Sequence, residues 1–173
     1  MADHAYGSVA AAGRLWVFFI VASAAAVGAA GAQDKKPAYV GADKCKVCHL
    51  PQHAIWLKSK HAKALEVLGD KRSDPQCLPC HTTGLAGPKD PAAAELSGVQ
   101  CEACHGPGSL YKSPLLMSKT KYTQNPAQAR AAVLAAGLTL PDEKVCTGCH
   151  NPKSPTFKGF DFSAYREKIK HWD

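Results

Sequence analysis

The chain has 173 residues, a formal net charge of +7 and eight cysteines. A chain of this length is predicted to form a single domain. Its charge alone would indicate an acidic partner or nucleic acid, but the pattern of the cysteines argues against nucleic acid, as shown below.

The first 32 residues are typical of a cleaved secretory signal. Arg14 precedes an apolar run over 15–27, and residues 30–32 (Ala-Gly-Ala) form a small-x-small cleavage site. The run is shorter than the roughly 20 residues that span a bilayer, so removal is favoured over a retained anchor. We therefore predict a signal peptide over 1–32 and one domain over 33–173. That domain is expected to be periplasmic or extracellular, without an integral membrane segment.

Three helices are predicted after the signal. The clearest covers 52–68, because His61 and three leucines fall at helical spacing on one face: Leu57, Leu65 and Leu68. A second helix is predicted over 127–136, with Gly137 as its left-handed C-cap.

The third predicted helix begins near Ser163 as N-cap and continues to His171. Between the helices, stretches rich in glycine and proline predict loops and not strands. The predicted fold class is therefore mainly α, with much irregular loop and little or no sheet.

The pattern Cys-x-x-Cys-His occurs four times and uses every cysteine. In each copy two thiols can form thioethers with the vinyl groups of a haem, and the adjacent imidazole can bind its iron. Zinc knuckles, disulfides and redox dithiols also use Cys-x-x-Cys, but none requires a histidine after every second cysteine. We therefore predict four haem c groups held by Cys45, Cys48, Cys77, Cys80, Cys101, Cys104, Cys146 and Cys149, with His49, His81, His105 and His150 as iron ligands.

Four haems change the meaning of the positive charge. Their propionates would bring the net charge of the loaded protein to about −1, which removes the electrostatic argument for nucleic acid binding. Porphyrin faces would also supply the apolar core that so short a chain lacks. We expect a small multihaem cytochrome wrapped around its four haems.

Each motif supplies one axial ligand, so the sixth positions on the irons decide what each iron can do. Outside the motifs and the predicted signal, the candidates are His53, His61, His171 and Met117. His61 lies on the apolar face of its predicted helix and is the strongest candidate. For His171 and Met117 the residues alone leave ligation and ordinary packing open. His53 is the weakest candidate, because it is only four residues after His49.

Three stretches of the chain match one known family. They are Cys45-Lys-Val-Cys-His49 with Trp56 and His61-Ala-Lys-Ala-Leu65, then Cys101-Glu-Ala-Cys-His-Gly-Pro-Gly108, and Phe160-Asp-Phe162 ahead of His171. On these stretches the chain resembles the tetrahaem cytochrome c-554 family of multihaem c-type cytochromes. The resemblance implies a mostly helical wrap around closely packed haem pairs, with bis-histidine irons and one five-coordinate iron.

The resemblance also implies a ligand set. His61 corresponds to the distal ligand of the third haem and His171 to that of the first. The second haem, at His81, corresponds to the family's five-coordinate iron. The family's histidine in the loop after Gly-Pro-Gly has no counterpart here, so Met117 is expected to replace it at the fourth haem.

Together these features predict a periplasmic carrier that passes electrons from one redox protein to another, with a membrane-associated protein as one candidate partner. No side-chain acid or base is needed, so a non-enzymatic role is favoured. The alternative is a small reductase that binds nitric oxide or a similar ligand at the five-coordinate iron. A conducting subunit of a larger redox assembly is a third class.

Overall fold

The computed structural model describes residues 36–84 and 95–172. The predicted signal over 1–32 lies outside these residues. Within them the regular structure is helical, and the one strand-like pairing is an isolated bridge between Thr82 and Ser97. The expected fold class, mainly α with irregular loops, is therefore confirmed. No helix in the described ranges has the length and apolar character needed to span a membrane.

The helices are short and are separated by turns. They are α1 (Ala42–Lys46), α2 (Leu50–Leu57), a 3-10 helix (Glu66–Ser73), α3 (Leu78–His81), α4 (Cys101–His105), α5 (Lys119–Gln124), α6 (Pro126–Ala135), α7 (Glu143–Thr147) and α8 (Phe162–Lys168). Four of them, α1, α3, α4 and α7, carry cysteines of the four motifs. All four motifs thus lie on short helical turns.

The predicted helix over 52–68 is wrong, because α2 ends at Leu57 and turns follow. Hydrogen bonds to a distant segment account for the break. The indole Nε1 of Trp56 donates to the carbonyl oxygen of Val99 (2.8 Å), and the N–H of Val99 donates to the carbonyl oxygen of His61 (2.9 Å). Backbone N–H and C=O groups that have hydrogen-bond partners in another segment do not need the bonds of a continued helix. His61 therefore lies in a turn.

The helix predicted over 127–136 is present as α6. The Asn125 side chain caps it by accepting a hydrogen bond from the N–H of Gln128 (3.1 Å), and Pro126 occupies its first turn. Gly137 follows with a φ of +98°, the left-handed conformation expected at that C-cap.

The last predicted helix is present as α8, with different ends. Its N-cap is Asp161 and not Ser163, because Oδ1 of Asp161 accepts from the N–H of Ala164 (2.6 Å). The helix ends at Lys168, so His171 lies beyond it in non-helical chain. A C-terminal segment outside the helix can turn its histidine toward another part of the fold.

The buried side chains are few and partly polar. The apolar ones are Ala42, Ala64, Leu78, Leu96, Tyr111, Ala129 and Val133. Among the polar ones, Gln100 accepts a hydrogen bond from the N–H of Ala42 (2.6 Å), and Thr83 accepts one from the N–H of Gln100 (2.8 Å). These bonds hold the segments that carry the first three motifs together.

Candidate haem centres

Each motif folds as about one turn of helix. In the first motif the N–H of Cys48 donates to the carbonyl oxygen of Cys45 (3.2 Å), and the other motifs show equivalent bonds or helix. Residues three apart on a helix point to the same side, so both thiols of a motif can reach one macrocycle. None of the eight cysteines forms a disulfide. No group of three or more His, Cys, Asp or Glu in the described ranges is arranged to hold a metal ion.

Contacts between thiols show which motifs are neighbours. A hydrogen bond with Cys101 raises the pKa of the Cys45 thiol. Burial and a hydrogen bond with Cys80 raise the pKa of Cys149 to about 12. The first motif therefore lies beside the third, and the second lies beside the fourth.

A third proximity links these two pairs. Burial raises the pKa of Cys104 to about 11, and the neighbouring Cys146 adds to the increase. The third motif therefore also lies near the fourth, so the four sites form one connected cluster.

His61 and His150 lie opposite each other with their ring centroids 6.1 Å apart. A metal–imidazole bond is about 2 Å long, so two imidazoles bound to opposite sides of one metal ion have centroids roughly 6 Å apart. The observed separation therefore fits one iron between the two rings. Burial lowers the pKa of both histidines, which favours the neutral form that binds metal.

His105 and His171 form a second pair of the same dimensions. Their ring centroids are also 6.1 Å apart, and the ring planes are nearly perpendicular at 88°. Nδ1 of His105 lies 3.2 Å from the carbonyl oxygen of Thr139, and Nδ1 of His171 lies 2.9 Å from that of Ile169. A carbonyl oxygen only accepts, so each Nδ1 carries the proton and each Nε2 keeps the lone pair that a metal requires.

These two pairs differ from the pairing implied by the family resemblance. His61 lies against the motif histidine of the fourth site and not of the third, and His171 lies against that of the third site and not of the first. A histidine thus already lies beside His150, and iron ligation by Met117 stays a prediction. The two distal histidines converge with their partners from 89 and 66 residues away, and sequence spacing gives no sign of such pairing.

The first and second motif histidines have no such ring partner among the described residues. Nδ1 of His81 donates to the carbonyl oxygen of Ala64, which again leaves Nε2 free. His49 is exposed. His53 does not complete either site, because its Nε2 lies 3.9 Å from Oδ1 of Asp43 and its ring contacts Trp56 at 5.2 Å between centroids.

Sequence reasoning missed Glu102, which lies inside the third motif and is 1% exposed. Its carboxylate accepts hydrogen bonds from the backbone N–H groups of Val40, Gly41 and Gly108. The signal was present in the sequence, since this is the one motif with an acidic residue between its cysteines. The carbonyl groups that orient His81, His105 and His171 left no signal, because any residue provides them.

The chain is similar in sequence to known c-type cytochromes. The family model described as cytochrome c554 and c-prime matches residues 44–106. Cytochrome c-554 of Nitrosomonas europaea is 30% identical over 145 residues, which cover 70% of this chain and 61% of that protein. The chain thus spans about three fifths of the length of this curated relative.

A solved structure shows the same fold. The reduced state of cytochrome c554 from Nitrosomonas europaea matches with a TM-score of 0.54 and 27% identity, over 73% of each chain. Its likeness extends beyond the stretch that the family model covers. In sequence and fold the chain is therefore similar to the cytochrome c554 family, and this likeness implies covalently bound haem c.

Proposed function

We propose that the chain is an exported tetrahaem c-type cytochrome that carries electrons between redox proteins. The observation that carries this proposal is the presence of two histidine pairs, His61 with His150 and His105 with His171, each with 6.1 Å between ring centroids. Four motifs that each present two thiols and one imidazole support the count of four haems. Haem iron supplies one-electron chemistry by alternating between its ferric and ferrous states.

The chain's own residues would hold the irons in a fixed and partly buried setting. His61 is proposed as the distal ligand opposite His150, and His171 as the ligand opposite His105. Backbone carbonyl groups fix the imidazole tautomers at His81, His105 and His171. Around His150, the ring of Phe160 stacks at 4.9 Å and excludes water from one side. Such rigid ligation limits rearrangement when an electron arrives or leaves.

Met117 is proposed as the distal ligand of the first iron, at His49. The loop that ends at Met117 begins at Ser109, and a hydrogen bond from the N–H of Ala38 to Ser109 Oγ (2.8 Å) ties it to the segment that leads into α1. The Lys112 side chain in this loop lies close enough to Cys45 that its charge acts on that thiol. A replacement by Met117→Leu is expected to add one high-spin haem per chain, and an unchanged high-spin fraction would contradict the assignment.

The proposed partners are an electron donor and an electron acceptor, either of which could be associated with a membrane. The surface of the first motif supports contact with another protein, because Val47 is 82% exposed and Leu50 is 60% exposed. Exposed lysines at positions 44 and 46 flank this apolar surface. Docking there should therefore combine a small apolar contact with charge attraction that salt weakens.

The direct test is to express the full chain in a host that attaches haem c and to analyse the exported product. We expect four haems per chain by mass and by haem absorbance, and an N-terminus at Gln33 after removal of residues 1–32. The loaded protein should be reduced and reoxidised reversibly. Fewer than four covalent haems in the fully matured protein would contradict the proposal.

A second candidate function rests on His81. Its Nδ1 is held by the carbonyl oxygen of Ala64, and no other described histidine ring faces it. This arrangement favours an iron that is accessible to a small ligand such as nitric oxide. Carbon monoxide added to the reduced protein should then shift the absorbance of one haem per chain. Fully low-spin spectra that carbon monoxide leaves unchanged would restrict the protein to electron carriage.

A further inference from the structure

The carboxylate of Glu102 is the most completely buried acidic group in the described residues. It lies one residue after Cys101, in the first turn of α4, and is 1% exposed. A buried carboxylate is costly unless its environment compensates the charge. What surrounds Glu102 therefore determines whether it carries a negative charge into the interior.

Three backbone N–H groups surround this carboxylate. Val40 donates to both oxygens at 3.0 Å, Gly41 donates to Oε2 at 2.8 Å, and Gly108 donates to Oε1 at 2.6 Å. All three partners are donors, which suits a carboxylate and leaves no acceptor for the proton of a carboxylic acid. No lysine, arginine or histidine of the described ranges forms an ion pair with Glu102. Within these ranges the site thus stabilises the charge by backbone dipoles and not by an ion pair.

Packing at Gly108 shows that the carboxylate is closely held. A Cβ atom at this glycine would come within 2.9 Å of Oε1 of Glu102. A side chain at this position would have to displace the carboxylate, so glycine favours the 2.6 Å hydrogen bond. The Gly-Pro-Gly turn after the third motif is therefore part of the carboxylate site.

The field of Glu102 reaches two haem-binding motifs. Its charge contributes to the raised pKa of Cys45, after the hydrogen bond that this thiol donates to Cys101, the effect of burial and the charge of Cys101. Together with burial it also raises the pKa of the Tyr111 hydroxyl. The first and third motifs, which lie side by side through Cys45 and Cys101, therefore share one buried negative charge.

The remaining motifs lack such a group. The residues between the paired cysteines are Lys46 and Val47 in the first motif, Leu78 and Pro79 in the second, and Thr147 and Gly148 in the fourth. Ferric haem carries one more positive charge than ferrous haem, and a nearby fixed negative charge favours the ferric state. The polypeptide itself thus gives the motifs different electrostatic surroundings.

We propose that Glu102 is a residue that tunes reduction potential, and that it lowers the potential of the third haem and, more weakly, of the first. Glu102 contacts no iron and acts through its charge. The inference rests on the proposed attachment of haem at these motifs. Electrons would accordingly rest preferentially on the second and fourth sites, whose motifs lack this charge.

The test compares the wild-type holoprotein with Glu102→Gln by spectroelectrochemical titration. Glutamine keeps the shape of the side chain and removes its charge, so we expect the reduction potential of the third haem to rise. The expected rise is at least about 59 mV, which is a tenfold change in a one-electron redox equilibrium. Glu143→Gln is the matched control. Glu143 also lies in the first turn of a motif helix, α7, but it is exposed, and its removal should leave all potentials nearly unchanged.

The outcomes separate the possible roles of Glu102. Unchanged potentials in a folded Glu102→Gln protein with four haems, even with a lower melting temperature, would overturn the proposal and leave only a structural clamp. Equal shifts in both variants would also overturn it, because they would reflect net charge alone. Haem content measured on the same samples tests the proposed function separately, since missing haems would refute attachment and not tuning.

A second measurement applies if Glu102→Gln does not fold. Wild-type holoprotein with isotope-labelled glutamate carboxyl groups is reduced stepwise, and infrared difference spectra are recorded at each potential. We expect one labelled carboxylate band to shift during the reduction step of lowest potential, because the other described glutamates are less buried. If no labelled band shifts at this step, the proposal is overturned.

Discussion

An imidazole that holds a metal must be neutral and must present one unprotonated nitrogen. Both requirements are met at His105, and the position of the Nδ1 proton is set in the same way at His171. Burial lowers the pKa of His105, and the carbonyl oxygens of Thr139 and Ile169 fix the protons on Nδ1. The backbone therefore prepares these side chains for an iron between them, and this preparation depends on chain conformation more than on residue type.

The pairing of His171 with His105 leads to a first prediction. His171→Ala should convert one low-spin haem per chain to a high-spin form that binds carbon monoxide, because the third iron loses its sixth ligand. Electron paramagnetic resonance and carbon monoxide titration would measure the change. His53→Ala is the control, since its ring faces Asp43 and Trp56. The same spectral change in both variants, or in neither, would contradict the pairing.

At the level of elements, the turn that carries His61 depends on close packing against Gly98. The glycine has a φ of +79°, and a Cβ atom there would come within 2.6 Å of the carbonyl oxygen of Ala62 and 3.1 Å of that of His61. The adjacent N–H of Val99 donates to the latter oxygen. The position of His61 opposite His150 is thus set by a segment almost forty residues later in the chain.

Gly98→Ala should therefore weaken the fourth site. Besides the roughly 1–2 kcal/mol that a left-handed φ costs an alanine, the methyl group must push the His61 turn away. We expect a lower melting temperature and loss of one low-spin signal. Gly69→Ala is the matched control, because Gly69 also has positive φ (+53°) but nothing lies within 4 Å of its Cβ position. If both variants lose only stability, the contact with Gly98 does not position His61.

Tertiary contacts of the His61 turn also explain why the helix predicted over 52–68 differs from the observed one. Helical spacing around His61 was real, yet the tertiary bonds between Trp56, His61 and Val99 outweigh it and break the helix at Leu57. The helix over 126–135 was predictable because its cap, its proline and Gly137 are all local in sequence. Motif cysteines and histidines were found for the same reason. Other features could be identified only in the folded chain. They are the pairing of the distal histidines, the hydrogen bonds of Glu102 and the carbonyl partners of the histidine Nδ1 atoms.

On the scale of the whole molecule, polar bonds between segments take the place of a large apolar core. Only seven apolar side chains of the described residues are buried, three of them alanines, and Thr83, Gln100 and Glu102 link the segments around them. At about 25 cal/mol per Å², a haem that buries several hundred Å² would contribute on the order of 10 kcal/mol. Four such groups would outweigh the contribution of the apolar side chains.

We therefore expect the protein without haem to lack a cooperative fold. Circular dichroism of chain produced in a host that cannot attach haem should show little helix and no sharp thermal transition, whereas the loaded protein should melt cooperatively. The physical reason is that folding and prosthetic-group binding are coupled when the group supplies the core. A cooperative transition in the haem-free chain would refute this coupling.

The two histidine pairs differ in the angle between their ring planes, which is 88° for His105 and His171 and 52° for His61 and His150. Nearly perpendicular imidazoles donate π density to two different iron d orbitals, so those orbitals remain close in energy, whereas a smaller angle separates them. The ferric third site should therefore give a more axial magnetic resonance signal, with a larger highest g value, than the fourth. Each site would carry its own magnetic signature, and the loss of either signal in a variant would identify the iron affected.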